Sequence, residues 1–484
     1  MSAGIIEEKA GPLSWRLLLP ILAGTVVALI VLLAGKNLLG DADTYWHLVV
    51  GQWIIDHRAF PTSDGFSFTF TGAHWIAKEW LSQVLYAGAY WLAGWQGMAV
   101  LAAAAAGLTF ALFARWLDGE LTSMAVLVLL AVAFVLVTPH LTARPHALAM
   151  PVMVAWIGGV VRAADRGAAP SLKLLPLMVL WANLHGGFTL GILLAGAAGL
   201  DALVSAPPAD RWRTFLVWAR FGVLTLIAAS ITPYGPESML VTFRILGLGS
   251  ALRIIGEWQP KDFGHVTIFE ILLLLAIGFA VYRGVVLRPV RILVLLGLLH
   301  LALSAERNSE ILGLLAPMFL AAPLARQFAA LRAEPAESAE GSRLTMAAGL
   351  GAAALLLVAG SAAVGGFQPA ARITPAAAVA AIRGAGAERI FNSYDFGGYL
   401  IRAGIPTFID GRTELFGADF TLRYYRAVTL SDLDDFVKLL DEYRIGATLF
   451  SPETAANAFL DRLPGWKRIY ADDVAVVHVR TATP

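Results

Sequence analysis

Apolar positions in this chain gather into runs and rarely alternate with polar ones. Eleven runs read as membrane-spanning helices: residues 15–39, 97–116, 121–138, 147–161, 172–184, 188–204, 215–231, 266–282, 290–303, 311–325 and 344–364. A twelfth, residues 75–95, is broken by Lys78, Glu79 and Gln83 and studded with Trp75, Trp80, Tyr86, Tyr90, Trp91 and Trp95. Trp and Tyr favour the headgroup layer, so this run reads as a helix lying on the membrane surface. The arginines support that choice. With the N-terminus and Lys9 inside, the basic short loops around Arg115, Arg162, Arg211, Arg283 and Arg326 all fall on one side, as the positive-inside rule requires. The polar stretch 334–342 is then an inside loop. The outside holds a long first loop, 40–96, the segments 139–146 and 232–265, and two short turns at 185–187 and 304–310.

After residue 365 the pattern changes. Residues 366–484 carry ordinary charge and mixed helix and strand signals. Pro375 before an Ala-rich stretch predicts a helix start. Residues 388–392, 407–409, 447–450 and 474–479 predict short strands, and 433–443 has helical apolar spacing. The expected architecture is an α-helical multi-pass membrane domain, 1–365, followed by an α/β soluble domain, 366–484, outside the membrane.

Composition agrees. Of 484 residues, 58% are hydrophobic and 15% charged, against about 45–50% and about 25% in soluble domains. Lys plus Arg number 36 against 35 Asp plus Glu, so a nucleic-acid partner is not expected. With no cysteine, disulfides, thiolate metal sites and a cysteine nucleophile are excluded.

Candidate chemistry clusters in the outer segments. The first loop opens with Asp41-Ala-Asp43-Thr-Tyr-Trp-His47. There Asp43 is a natural helix N-cap with His47 one turn on, and Trp46, Val50, Trp53 and Ile54 form a stripe that can rest on lipid. Glu79 and Lys78 follow in an aromatic setting, Lys78 reading as part of a solvated face. The second loop offers Arg144-Pro-His146; Pro145 suits a first helical position, and an arginine fork suits a phosphate. Asn183-Leu-His185-Gly-Gly separates two short apolar runs. Such intramembrane polar groups face a cavity, or satisfy each other between helices. Arg307 sits beside Glu306 in a tight turn, as a clamp or an anion site.

The ensemble resembles the GT-C class of integral-membrane glycosyltransferases, which includes oligosaccharyltransferase catalytic subunits and protein O-mannosyltransferases. The shared features are a first span, an acidic motif (Asp41-Ala-Asp43) in a long outer loop with interfacial helices, a multi-span core and a soluble outer domain. His47-Leu-Val-Val-Gly51, Pro61-Thr-Ser-Asp64-Gly-Phe-Ser, Arg144-Pro-His146, Asn183-Leu-His185-Gly-Gly, Gly397-Gly398-Tyr-Leu and Ile409-Asp410-Gly411-Arg412 are also similar to bacterial membrane proteins of this type. The resemblance implies transfer of a sugar from a polyprenyl-phosphate donor to an acceptor on the outer face of the cell inner membrane. It implies Asp43 as the catalytic carboxylate and Asp41 as its companion. His47, Glu79, Arg144, His146, Asn183, His185 and Arg307 become candidates for substrate binding. In the second loop oligosaccharyltransferases place acidic metal ligands. Arg144 and His146 stand there instead, so no cofactor is expected and a divalent metal is not favoured. Two other classes fit the spans: a transporter or flippase for a lipid-linked glycan, and a non-catalytic subunit of envelope glycan assembly.

Overall fold

A computed structural model describes residues 15–33, 37–254, 256–333, 341–364 and 366–481. The N-terminal segment with Lys9 and most of the polar stretch 334–342 lie outside the described residues.

All eleven apolar runs fall on helices. These are α1 (Trp15–Leu33), the second part of α3 (Trp80–Leu117), α4 (Ser123–Val137), α5 (Pro145–Asp165), α6 (Leu175–Leu184), α7 (Phe188–Ser205), α8 (Arg211–Ala229), α10 (Ile268–Arg283), α11 (Pro289–Ser304), α12 (Ser309–Gln327) and α13 (Gly341–Val364). Two more, α2 (Asp43–His57) and α9 (Glu237–Leu246), belong to the segments read as outer loops. Among the described residues, six helical stretches are long and apolar enough to cross a membrane: Trp80–Leu117, Ser123–His140, Pro145–Asp165, Phe188–Ser205, Pro208–Ala229 and Glu306–Gln327. The segments Leu18–Leu33, Leu172–Leu184, Pro289–Ser304 and Gly349–Ser361 are apolar but shorter.

The aromatic run does form a helix, and it continues into the next apolar run as α3. The two pieces join at a break, where Ala93 and Gly94 leave helical geometry and Gly94 takes φ 59°. Glycine adopts that conformation without the cost a Cβ would impose.

Helix α5 sets the scale of the bundle. It begins at Pro145, just after Arg144, and ends at Asp165. At 1.5 Å per residue, its 21 residues span about 30 Å, the thickness of a bilayer core. Each end carries an arginine cluster, half-buried around Arg144 and fully buried at the far end. At the far end Arg291 donates to Asp165 (2.6 Å), Asp201 (3.0 Å) and the Phe319 carbonyl (2.8 Å), tying α5, α7, α11 and α12 together.

The tail holds a four-stranded mixed sheet of β1 (Ile390–Asn392), β2 (Ala447–Phe450), β3 (Trp466–Ala471) and β4 (Val476–Arg480), in the order β1-β2-β4-β3. β1 and β2 are parallel; the other pairs are antiparallel. Helices α14 (Ala376–Gly384), α15 (Gly397–Arg402), α16 (Thr413–Val428), α17 (Leu433–Glu442) and α18 (Ala456–Leu460) complete it. Residues 407–409, expected as a strand, do not join this sheet. Thr407 instead makes an isolated parallel bridge to Ser67 of the first outer loop, with Phe68 N donating to Thr407 O (3.0 Å) and Thr407 N to Phe66 O (3.0 Å).

That bridge is part of a larger union. Trp46, Val50, Ile54 and Trp75 share one hydrophobic core with Phe391, Phe408, Leu439 and Phe450. The stripe on α2 is therefore buried against the tail, not free for lipid. The tail's own aromatic face is the stronger partner, because it packs side chain to side chain and excludes water from both. Arg412 fastens the union. It is fully buried and donates to Asp64 (2.6 Å) and to both oxygens of Asp410 (2.8 and 2.7 Å). Its guanidinium lies 5.2 Å from the Phe66 ring and 5.0 Å from the Trp75 ring. The motifs Pro61–Ser67 and Ile409–Arg412 are thus two halves of one buried ion network.

Arg412→Ala would leave Asp64 and Asp410 buried without their cation. The expected cost is about 3–5 kcal/mol, read as thermal unfolding and faster proteolysis of the tail. Arg412→Lys keeps the charge, loses the fork and should fall between. Wild-type stability in Arg412→Ala would contradict the assignment.

Candidate functional site

Helix α2 begins at Asp43, but Asp43 does not cap it. Residue 42 occupies the cap position, and the Asp43 backbone N–H donates to Asp41 Oδ1 (2.9 Å). The Asp43 carboxylate is thereby released to point inward. Its Oδ1 accepts from Trp46 Nε1 (2.9 Å), and its Oδ2 pairs with Arg144 (2.8 Å).

Arg144 precedes Pro145, in extended backbone before α5. Two bonds hold its loop: Ala143 N donates to Leu38 O (2.7 Å), and Tyr86 Oη donates to Arg144 O (3.1 Å). Its guanidinium meets Asp41 (3.0 Å), Asp43 (2.8 Å) and Glu257 (2.7 Å). Glu257 also holds Arg307 (2.7 Å), whose guanidinium lies 4.8 Å from the Trp258 ring. Arg307 therefore pairs with Glu257 rather than with adjacent Glu306, which faces Lys261 at 3.8 Å. Three carboxylates against two guanidinium groups leave the cluster one negative charge in excess. Burial, opposed by Arg144 and reinforced by Asp41, raises the Asp43 carboxyl to about 7. Glu257 is held down at about 2, Arg144 and Arg307 outweighing its burial.

A second group adjoins the first, the Trp46 and His47 rings lying 3.7 Å apart. Glu79, only 8% exposed, stands between two imidazoles. Its Oε1 is 3.6 Å from His185 Nε2, and its Oε2 is 3.9 Å from His47 Nε2. These gaps are too long for hydrogen bonds. Burial pushes the Glu79 carboxyl up and both imidazoles down. The neutral rings have defined tautomers. Gly187 N donates to His185 Nδ1 (3.1 Å), and the Gln83 amide contacts His47 Nδ1 (3.2 Å), which leaves each Nε2 carrying hydrogen toward Glu79.

The remaining candidates are placed as follows. His146 is buried on α5, with Nε2 3.0 Å from His140 O and 3.9 Å from Glu310; its ring centroid is 6.3 Å from that of His185. Asn183 is occupied by the fold: its amide donates to Val179 O (2.7 Å) and Ile231 O (2.9 Å) and accepts from Trp80 Nε1 (2.7 Å). Lys78 is not on a solvated face; it is buried and paired with Glu414 of α16 (2.9 Å). Glu257 and Glu414 lie outside the set of candidate site residues, although both stand in polar motifs of the sequence, Glu257-Trp258-Gln-Pro260 and Asp410-Gly-Arg412-Thr-Glu414. Among the described residues, no group of three or more His, Asp and Glu is placed to hold a metal ion.

The tail domain roofs the first cluster through its glycines. A Cβ on residue 411 would lie 1.8 Å from Asp43 Oδ1, and one on residue 398 would lie 2.1 Å from Ala42 O. Only glycine lets these two backbones approach so closely.

An open groove of about 470 Å³ lies on the bundle surface at Trp80 and Asn183; Asp43 and Arg144 do not line it. It is lined by Trp80, Leu81, Val179, Leu180, Asn183 and Ile231, among others, and its walls are mostly apolar.

No protein-family profile matches this sequence, and no curated protein matches it.

The raised Asp43 has a consequence for stability. Its folded value of about 7 lies above the ordinary 3.8. Between those two pH values the folded chain holds a proton that the unfolded chain releases, so this group's contribution to stability falls as pH rises through the window. Asp43→Asn removes that dependence. Its thermal stability relative to wild type should therefore be more favourable at pH 8 than at pH 5 in the same detergent. An unchanged difference at the two pH values would contradict the burial argument.

Proposed function

We propose that the protein is a membrane glycosyltransferase of GT-C type. It would transfer a sugar from a polyprenyl-phosphate donor to an acceptor hydroxyl on the outer face of the inner membrane. The observation that carries this reading is the Asp43–Arg144 pair. A carboxylate raised to about 7 is joined to a guanidinium at the end of a helix of bilayer length. In this reading all eleven apolar helices span, the aromatic half of α3 lies in the headgroup layer, and the tail is outside. The groove takes the first part of the prenyl chain.

The proposed step couples the pair. The acceptor O–H bond breaks and its proton passes to the Asp43 carboxylate, a general base suited to neutral pH. The acceptor oxygen's electron pair forms the new bond to the anomeric carbon. The bond from that carbon to the phosphate oxygen breaks, its electron pair staying on the phosphate. Once neutral, Asp43 no longer holds Arg144, whose N–H groups turn to the charge developing on the leaving lipid phosphate.

A deletion strain should lose one sugar from an envelope glycan, seen by mass spectrometry and restored by the wild-type gene. Asp43→Asn and Asp43→Ser should restore about 10²–10⁴-fold less activity at matched expression. Arg144→Ala should weaken donor binding, and Arg144→Lys should recover only part of it. Full complementation by either Asp43 variant would sink the mechanism. No glycan change on deletion would sink the reading.

The orientation has its own test, which the absence of native cysteine makes clean. Glu453 is exposed on the tail. A cysteine placed there should react with a membrane-impermeant maleimide added from outside. Labelling only after the cytoplasmic face is opened would invert the topology.

A further inference from the structure

Glu79 meets only the two imidazoles, and neither at hydrogen-bond length. It is buried, yet among the described residues its carboxylate accepts no hydrogen bond and lies beyond bonding distance of both imidazoles. The geometry has a definite reading. Each oxygen of Glu79 faces one imidazole N–H, across 3.6 Å for His185 and 3.9 Å for His47.

A hydroxyl fits each of these edges. It can donate to the carboxylate oxygen and accept from the imidazole, with both contacts at ordinary hydrogen-bond lengths of about 2.7–3.2 Å. The two edges are joined through one carboxylate. They therefore suit two hydroxyls on neighbouring carbons, the vicinal diol of a sugar ring. Water could fill one edge, but only a diol makes all four contacts with a single rigid ligand. The groups on offer are two imidazole N–H donors and one carboxylate acceptor, the complement of a pair of hydroxyls.

We propose that Glu79, with His47 and His185, forms the sugar subsite and recognises two adjacent free hydroxyls of a hexose. The proposal rests on the glycosyltransferase reading for the lipid part of the donor, but the subsite itself does not require it. Asn183 takes no direct part. Its filled hydrogen bonds to Trp80, Val179 and Ile231 hold the helix end that carries His185, which makes it a positioning residue.

The test uses the full chain in lipid nanodiscs, with tryptophan fluorescence as the binding signal. The probes are undecaprenyl phosphate, the same lipid carrying glucose, galactose or mannose, and the three corresponding methyl glycosides. At least one hexose-bearing lipid should bind about 10-fold tighter than undecaprenyl phosphate alone. Glu79→Gln should abolish that increment and leave undecaprenyl phosphate binding unchanged. The substitution keeps shape and removes no hydrogen bond, so folding should survive, and thermal unfolding checks this. His185→Ala should reduce the increment by a smaller factor. If the increment persists in Glu79→Gln, or no hexose adds affinity, the subsite is wrong while the lipid reading stands. If undecaprenyl phosphate does not bind but a methyl glycoside binds in a Glu79-dependent way, the subsite stands and the lipid donor falls. If neither binds, both fall.

Discussion

One guanidinium holds the outer end of this molecule together. Arg144 bonds to Asp41 and Asp43 at the start of α2 and to Glu257 in the segment after α9, and Glu257 passes the connection to Arg307 before α12. Four segments far apart in sequence converge on that point. The arrangement has more acid than base, so it cannot keep every carboxylate fully charged in a buried setting. The strain falls on Asp43, which is raised to about 7, while Glu257, held by two arginines, stays low at about 2. Two carboxylates in one cluster thus sit at opposite ends of the carboxylate range. In the proposed reaction the first is the proton acceptor and the second a fixed anion.

The tail domain completes this centre. Its buried Arg412 locks it to the first outer loop through Asp64, and their shared aromatic core makes loop and tail one unit. Held in that way, Gly411 comes to rest on Asp43 and Glu414 on Lys78. The water that would otherwise solvate Asp43 is kept out by protein backbone. The motifs Gly397-Gly398 and Asp410-Gly411-Arg412 are explained by this closure. Their glycines give the close approach, and their charged residues give the lock.

Much of this was legible from residues alone. Hydrophobic runs located the helices, because burial in lipid or in a bundle demands the same unbroken apolar stretches. In the tail, β2 was clear as a short β-rich run and α17 from its helical spacing. β3 was not, since Trp466–Ala471 is largely exposed and its alternation is weak. α16 was hidden by the break at Gly417, where φ is 73°. Asp43 and Arg144 were legible as candidates through residue type and position, but their direct contact was not, because pairing across a hundred residues leaves no local pattern. The same holds for Lys78, which looks solvated until Glu414 is placed beside it. The stripe Trp46–Ile54 shows the limit most plainly: an apolar face announces burial without saying against what.

The account turns on Asp43 being a proton acceptor poised near neutrality by burial and by its shared arginine. Infrared titration of the purified protein measures this directly, as the carboxyl C=O band that disappears in the wild-type minus Asp43→Asn difference spectrum. The predicted result is a single protonation midpoint near 7, moving higher when Arg307→Ala removes a cation and leaves Glu257 to draw on Arg144 alone. A midpoint in the ordinary range near 4 would show a carboxylate fully satisfied by Arg144, with no capacity to take a proton at neutral pH, and would contradict the account.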